Sequence, residues 1–537
     1  MSSSVRRLSW TVSIPVAYVL FVLCWRLWAS AYTSGDDGYT TLAALNPAGM
    51  WASAQEMARF QGRFYQLFVY PLAMWPFVHG DLTEIAVWKI FTFLFMAAGV
   101  GSLFLAAFNR AMAVIACVLM LLLFDTVGGS YNPFHGLPLW FGIGCGALAA
   151  SLACHIWSLK RSSTWISLFA AVFYLLALLT YEIALLYTPL FLMLSWFYDR
   201  GGRKWPNSTA IFRIIRSVSG IALISATYLV AYVAYRRVYP GTYTGAGELG
   251  VSALGRTLKP IVEFSINGLY WTSHYSGPKA LTVQAVTVVL ALASAAVIAW
   301  RGLPQQADSD SDAPPIPPGF PAFLMFGTII LYVFVPNVLF GLTERYRIWA
   351  GDGVQFYLGS VHSAVAIVFL MCFALILVRQ HLGVTKGGLV ATIALVPLLV
   401  FGYANHRNSQ NFFSQSELMS SRWAIADWAA TELNVEASSG RIPATDIMIC
   451  GQGFTENREL PVYFRNADML ADVDLFWSRY FSWKMKRGVT YKSPSVVGPS
   501  TQCHAYIGLD YRKRTATLKS TGRTNSARIP NNRSLAW

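Results

Sequence analysis

Long apolar runs separated by short polar segments dominate the first 405 residues of this chain. A helix that crosses a bilayer needs roughly 20 predominantly apolar residues. By that rule the runs predict about eleven transmembrane helices, near residues 11–31, 85–108, 111–124, 137–158, 165–181, 183–198, 215–236, 280–300, 320–341, 358–379 and 387–404. The aromatic stretch Phe60–Val78 is interrupted by Arg63 and two prolines, so it predicts a helix at the membrane interface. The pattern therefore predicts an all-α polytopic membrane domain over residues 1–405.

After residue 405 the long apolar runs are replaced by shorter patterns of mixed polar and apolar residues. Ser416–Leu433 has the apolar spacing of an amphipathic helix, and Asp446–Cys450 is typical of a short buried strand. Residues 406–511 are therefore predicted to form a small α/β domain. Residues 512–537 carry seven Lys or Arg residues and no acid, a composition that predicts a solvated, disordered tail.

Composition agrees with a membrane protein. Hydrophobic residues make up 55% of the chain and charged residues only 12%, whereas soluble proteins have roughly 25% charged residues. Much of the net charge of +15 flanks the predicted spans, where Lys and Arg set orientation and contact anionic headgroups. We therefore expect membrane lipids, and no nucleic acid, as partners. The Lys and Arg distribution places the N-terminus in the cytoplasm, and an odd number of spans places residues 406–511 outside.

The cysteines divide into two groups. Five lie inside apolar runs and are expected to be small buried hydrophobic residues: Cys24, Cys117, Cys145, Cys154 and Cys372. Cys450 and Cys503 lie in the polar C-terminal part. They are expected to form one disulfide if that part is extracytoplasmic, because such bonds persist in oxidising compartments.

Asp36 and Asp37 lie between two glycines directly after the first predicted span. A carboxylate is costly in hydrocarbon, so a pair at the membrane edge is by default a functional-site hypothesis. A solvated turn is the alternative, because Gly-Asp-Asp-Gly is also favourable turn chemistry. Two adjacent carboxylates repel, so the pKa of one is expected to rise, which suits a general base near neutral pH. The other could orient an acceptor or hold a divalent metal ion, which prefers oxygen ligands.

The predicted outer loops also carry arginines, tyrosines and a glutamate. The outward-facing set comprises Arg59, Arg63, Tyr181, Glu182, Arg345, Tyr346 and Arg347. Its arginines break the positive-inside pattern, and a broken rule points to a function that overrides it. Arginine matches phosphate oxygens through its planar fork of donors. The set therefore suits chemistry at a lipid-phosphate leaving group.

This layout resembles the GT-C superfamily, integral-membrane glycosyltransferases that use polyprenyl-phosphate sugars. The resemblance covers the layout of residues 1–405 and three short patches, Asp36-Asp37, Tyr181-Glu182 and Arg345-Tyr346. It implies inverting transfer, at the outer face of a bacterial inner membrane, onto a cell-surface glycan or lipid such as lipopolysaccharide. Asp36 or Asp37, in the loop 30–84, would be the base. The substrate-binding residues would be Tyr39, Arg59, Arg63, Tyr181, Glu182, Arg345, Tyr346 and Arg347. Several members have Asp-x-Glu or Asp-x-Asp in place of Asp-Asp, which leaves metal dependence open.

Three other functions remain open from the sequence. An O-antigen polymerase or ligase also acts on lipid-linked sugars, but such enzymes lack an Asp pair directly after the first span. A transporter or flippase for lipid-linked sugars would need ionisable residues at mid-membrane, whereas here they lie at predicted span ends. A structural membrane protein would not require carboxylates on its outer face.

Overall fold

The computed structural model describes residues 47–78, 82–108, 138–199, 208–241, 320–343, 361–374, 424–452, 477–492, 503–510, 515–520 and 523–528, together with isolated residues within 17–28, 113–120, 258–265, 359 and 376. By its internal contacts the chain divides into two compact units. The larger comprises Met1–Trp25, Ser53–Leu72 and Lys89–Asn411, and the smaller comprises Arg26–Ala52, Ala73–Trp88 and Phe412–Trp537.

Most of the described chain is helical. The helices are α1 (Pro47–Gln61), α2 (Gln66–Met74), α3 (Leu82–Ala107), α4 (Cys145–Arg161), α5 (Thr164–Thr180), α6 (Thr188–Asp199), α7 (Ser208–Val238), α8 (Phe320–Phe334), α9 (Val338–Leu342), α10 (Val361–Ala374), α11 (424–438) and α12 (477–485). A π-helical turn at Leu139–Gly144 precedes α4, and 3-10 turns occupy Trp75–Phe77, Glu182–Tyr187 and Val335–Asn337. The predicted interfacial helix Phe60–Val78 is divided, because Gly62, with a φ of +67°, ends α1.

Several apolar helices have the character of membrane spans. Among the described residues, four stretches are long and apolar enough to cross a membrane: Thr83–Ala107, Leu139–Arg161, Ile211–Val238 and Leu324–Leu342. Three shorter apolar helices coincide with further predicted spans: Thr164–Thr180, Glu182–Tyr198 and Val361–Ala374. The predicted spans 11–31, 111–124, 280–300 and 387–404 lie wholly or mostly outside the described residues. The described residues thus contain four candidate membrane-spanning helices, judged by length and composition, whereas the count of eleven is not supported.

Small residues allow α3 and the π turn–α4 segment to pack closely. A Cβ atom on Gly99 would overlap the backbone of Gly146, and one on Gly142 would overlap Thr92. Gly142 and Gly146 are four residues apart, the spacing by which small residues line one face of a membrane helix and let a neighbouring backbone approach.

Buried hydroxyl groups connect α5, α6 and α7. The Tyr174 hydroxyl lies 2.7 Å from Thr188 Oγ1 and 3.0 Å from Ser225 Oγ, and the last two are 3.0 Å apart. Each polar group is thereby satisfied by a neighbouring helix, which matters because an unpaired polar group in an apolar interior is costly.

The smaller unit contains a five-stranded sheet. Its strands are β1 (Ile447–Gln452), β2 (Val489–Lys492), β3 (Ala505–Asp510), β4 (Thr515–Ser520) and β5 (Arg523–Arg528), in the order β2-β1-β3-β4-β5. Strand β1 is parallel to both of its neighbours, β2 and β3, whereas β3-β4 and β4-β5 are antiparallel. Helix α11 overlaps the predicted helix Ser416–Leu433, and β1 confirms the strand predicted at Asp446–Cys450.

The prediction of a disordered tail over 512–537 is wrong for the residues of β4 and β5. In β4 the residues alternate in burial, with Ala516 and Leu518 buried, and every β5 residue has a partner on β4. The basic residues do not oppose this pairing, because Lys519 and Arg523 are exposed to solvent. Residues 512–514, 521–522 and 529–537 lie outside the described part of the chain.

A disulfide joins Cys450, in β1, to Cys503, two residues before β3, with their Cα atoms 5.8 Å apart. The bond expected from the sequence is therefore present. Beside it, the Met448 amide donates a hydrogen bond of 2.9 Å to His504 Nδ1. Together these contacts fix the start of β3 against β1.

Candidate functional site

The site is centred on Glu182, at the break between α5 and α6. Helix α5 ends at Thr180, whose hydroxyl donates to the Leu176 carbonyl at 2.6 Å. Tyr181 is then extended, with φ −156° and ψ 125°, and Glu182 opens the 3-10 turn that leads into α6. A single extended residue between α5 and this 3-10 turn thus presents adjacent Tyr and Glu side chains at the end of α5.

Both carboxylate oxygens of Glu182 are engaged by the segment between α1 and α2. Arg63 Nη2 lies 2.9 Å from Glu182 Oε1, and the Tyr65 hydroxyl donates a hydrogen bond to Oε2. The side chains of Arg63 and Glu182 are only 18% and 15% exposed, so this ion pair is weakly screened by solvent. The carboxylate is therefore oriented from two sides, an arrangement suited to positioning rather than to proton abstraction.

Tyr65 remains a proton donor over the physiological pH range. Its side chain is completely buried. Burial raises its pKa well above the usual value, and the nearby Glu182 carboxylate adds to the rise while Arg63 opposes it. The hydroxyl therefore stays protonated and continues to donate to Glu182.

Gly62 explains how Arg63 reaches the site. The Arg63 amide donates to the Ala58 carbonyl at 2.9 Å and the Gly62 amide to the Arg59 carbonyl at 3.2 Å, the two bonds of a Schellman helix end. This geometry needs the positive φ of Gly62. A Cβ atom on Gly62 would also lie 3.0 Å from the Tyr239 carbonyl oxygen, just after α7. Glycine thus lets the end of α1 contact the end of α7.

Arg59 lies one turn before Gly62 on the same helix. Its guanidinium carbon is 5.3 Å from the ring centroid of Tyr239, a cation–π distance. The Arg59 side chain is exposed. The end of α1 therefore supplies two arginines, one held over an aromatic ring and one paired with Glu182.

Aromatic rings from other helices surround these polar groups. The Tyr181 ring lies 6.3 Å from that of Phe141, in the π turn, and 6.5 Å from that of Phe340, in α9. Phe64 contacts Tyr228 of α7 at 5.2 Å between ring centroids. Five separate segments of the larger unit therefore meet around Tyr181 and Glu182, and each adjoins a stretch that the sequence predicts to be an outer loop.

The structure brings together three of the predicted site residues that it describes, since Arg63 contacts Glu182 and Tyr181 precedes Glu182 in the chain. The fourth, Arg59, lies over the Tyr239 ring instead. The other predicted residues lie outside the described part of the chain: Asp36, Asp37, Tyr39, Arg345, Tyr346 and Arg347. In the described ranges no three His, Cys, Asp or Glu side chains are grouped so as to hold a metal ion. The divalent ion at the aspartate pair remains a prediction.

Sequence reasoning did not select Tyr65, Gln61 or Tyr228 as site residues. Gln61 Oε1 accepts from Gln66 Nε2 at 3.0 Å and lies 3.5 Å from Arg63 Nη1, so it helps to position the arginine. The Tyr228 hydroxyl is buried, and none of the described residues hydrogen-bonds to it. The glycine-arginine pair Gly62-Arg63, inside the predicted interfacial helix, is the signal that could have located this junction.

Comparison with known proteins found no match, either among family models or among curated proteins. The functional argument is therefore built on the residues and their geometry.

Proposed function

We propose that this protein is a membrane glycosyltransferase of the GT-C type, with about eleven spans, in a bacterial inner membrane. It would transfer a sugar from a polyprenyl-phosphate donor to a cell-surface glycan or lipid acceptor at the outer face. The observation that carries the proposal is the contact of Arg63 and Tyr65 with Glu182. It joins the loop that begins with the aspartate pair to the Tyr181-Glu182 turn, two regions on which the resemblance rests.

In this proposal the arginines act on the donor phosphate. Departure of polyprenyl phosphate leaves negative charge on the phosphate oxygens, and preorganised cations stabilise that charge in the transition state. Glu182 and Gln61 orient Arg63 before substrate arrives, so little reorganisation is needed during the reaction. Arg59, on the preceding helical turn, adds a second guanidinium.

The proposed step is a single displacement. A carboxylate of Asp36 or Asp37 takes the proton of an acceptor hydroxyl, whose oxygen attacks the anomeric carbon of the donor sugar. The bond between that carbon and the phosphate oxygen breaks, and polyprenyl phosphate leaves with the electron pair. Attack opposite the leaving group inverts the configuration. A divalent ion held by the carboxylate oxygens would contribute charge stabilisation at the phosphate.

The test is a profile of surface glycans and lipids from cells carrying wild type, Asp36→Asn, Asp37→Asn or Arg63→Gln at matched membrane levels. We expect one sugar to be lost with Arg63→Gln and with the Asn variant of the base. Glu56→Gln is the control, because Glu56 is an exposed carboxylate on α1 and lies outside the predicted set. A wild-type profile from all three variants would refute the proposal. Transport assays would then be the next measurement.

A further inference from the structure

The sheet of the smaller unit has two unlike faces. One face carries apolar residues that are buried: Ile447, Ile449, Val489, Tyr491, Ala505, Ile507, Ala516 and Leu518. By strand alternation the opposite face, here called the open face, carries Thr490, Lys492, Tyr506, Thr517, Lys519, Thr524 and Ser526. Thr490, Lys519, Thr524 and Ser526 are exposed, and Lys492, Tyr506 and Thr517 are half-buried. Strand β1 adds Met448, which is half-buried, and Cys450, which is buried, to this face. The open face is otherwise rich in hydroxyl groups, and it is exposed to solvent at Thr490, Lys519, Thr524 and Ser526.

Charge is separated between the two faces. Helix α11 carries three carboxylates, all paired with residues of α12 or of the apolar side of the sheet. Asp427 lies 2.9 Å from Lys484 Nζ, Glu432 accepts from Asn525 at 2.7 Å, and Glu436 accepts from the Ser520 hydroxyl. These partners face the helices, so none of the three carboxylates neutralises a cation of the open face.

Two lysines of the open face share one row of the sheet. The cross-strand register places Lys492, Cys450, Tyr506, Lys519 and Thr524 in that row. With strands about 4.8 Å apart, the Lys492 and Lys519 positions are roughly 14 Å apart. Lys492 and Lys519 therefore give this row of the open face positive charge.

Tyr506 lies between the two lysines, and its ring leans along the strand. A Cβ atom on Gly508 would lie 3.5 Å from Tyr506 Cε1, so the ring covers the glycine position two residues farther along β3. Glycine at 508 leaves room for a ring that lies over the strand instead of standing upright. The Tyr506 ring is half-buried in this position, and the face of an aromatic ring is the part on which another ring stacks.

We propose that the open face binds a segment of an anionic polysaccharide. Lys492 and Lys519 would pair with acidic groups of the chain, one sugar ring would stack on Tyr506, and the Thr and Ser hydroxyls would hydrogen-bond to sugar hydroxyls. The Cys450–Cys503 disulfide favours an oxidising compartment, where envelope glycans rather than nucleic acids are present. A lipid surface fits less well, because adsorption to it uses exposed apolar side chains, and hydroxyl groups predominate here. This binding goes beyond sugar transfer and does not depend on it.

The experiment is equilibrium binding of the detergent-solubilised full chain to a fluorescent oligogalacturonate, followed by anisotropy without any sugar donor. We expect Lys492→Gln and Lys519→Gln each to raise the Kd about tenfold, because each removes a charge-assisted contact. Tyr506→Ala should weaken binding by a similar factor, whereas Tyr506→Phe, which keeps the aromatic ring, should bind as wild type does. A neutral dextran of matched length should bind more weakly than oligogalacturonate.

Arg479→Gln is the matched control, because Arg479 is an exposed cation on α12 and lies off the open face. An effect of this control equal to that of Lys519→Gln would overturn the proposal, since it would indicate only general attraction between charges. Absence of oligogalacturonate binding would also overturn the proposal. Equal or tighter binding of single-stranded DNA or phosphatidylglycerol vesicles, with the same dependence on Lys492, Lys519 and Tyr506, would overturn it as well. The assay contains no donor, so it can fail or succeed independently of the glycosyltransferase proposal.

Discussion

Glu182 accepts a hydrogen bond from Tyr65, although the two residues are 117 positions apart in the chain. The same carboxylate pairs with Arg63 at 2.9 Å. A carboxylate with both oxygens occupied holds its partners in place. Glu182 therefore acts on the site through Arg63 and Tyr65, and the predictions below follow from that arrangement.

Glu182→Gln should lower the free energy of unfolding in detergent by about 2 kcal/mol, because the Arg63 guanidinium loses its charged partner in a weakly solvated site. Glu56→Gln should have almost no effect. The sharper measurement is a double-mutant cycle with Arg63→Gln. We expect a coupling free energy of about 1 kcal/mol or more, and a double variant that is destabilised by the sum of the single effects would contradict the pairing.

Tyr65→Phe should make unfolding less sensitive to alkaline pH. The folded pKa of Tyr65 is raised by burial, whereas an unfolded tyrosine titrates near 10. The wild-type contribution to stability is thus fully present below about pH 10 and is lost as the pH rises toward the folded pKa. The difference in unfolding free energy between wild type and Tyr65→Phe should therefore shrink above about pH 10. A constant difference would show that Tyr65 ionises normally.

Gly62→Ala should destabilise the larger unit by about 1–2 kcal/mol, because alanine disfavours the φ of +67° and its Cβ would approach the Tyr239 carbonyl. Gly220→Ala is the matched control. Gly220 lies within α7, and a Cβ there would have nothing within 4 Å. Thermal unfolding of both variants checks the prediction. Equal stabilities would mean that the Schellman end of α1 does not constrain the site.

Removing the Cys450–Cys503 disulfide should destabilise the smaller unit by about 2–4 kcal/mol, because the bond closes a loop with a sequence separation of 53. Cys450→Ser/Cys503→Ser in the full chain, with Cys24→Ser as control, provides the comparison. Mass mapping without reductant should recover the two peptides joined. If both thiols of the native protein react with an alkylating reagent, the bond is absent in solution.

The long helices could be predicted from the sequence because a bilayer imposes a length and a polarity that are visible locally. The prediction of 215–236 falls within α7, and 85–108 coincides almost completely with α3. Strand β1 could be predicted for a similar reason, since a short apolar run between polar residues is typical of a buried strand. For each of these elements, the pattern of apolar and polar residues that predicts it lies in one continuous stretch of the sequence.

The two last strands were missed because charge was given more weight than alternation. Thr515-Ala516-Thr517-Leu518 alternates polar and apolar residues as a half-buried strand does. Basic residues on the solvent side of such a strand are compatible with hydrogen bonding between the strands. The contact of Tyr65 with Glu182 was missed for a different reason, because pairing between distant loops leaves no local pattern in the sequence. Arg63 and Glu182 could be placed in one functional set because both lie in predicted outer loops.

The assembly around Tyr181 has a consequence for biogenesis. Its rings and charges come from the end of α1, the π turn, the α5–α6 break, the end of α7 and α9, in that order along the chain. During synthesis Arg63, Tyr181 and Glu182 are all made before Phe340. A chain made only as far as the segment between α7 and α8 thus contains both partners of the Arg63–Glu182 pair but lacks one of the rings beside Tyr181. The environment of Tyr181 is therefore complete only once α9 has been synthesised.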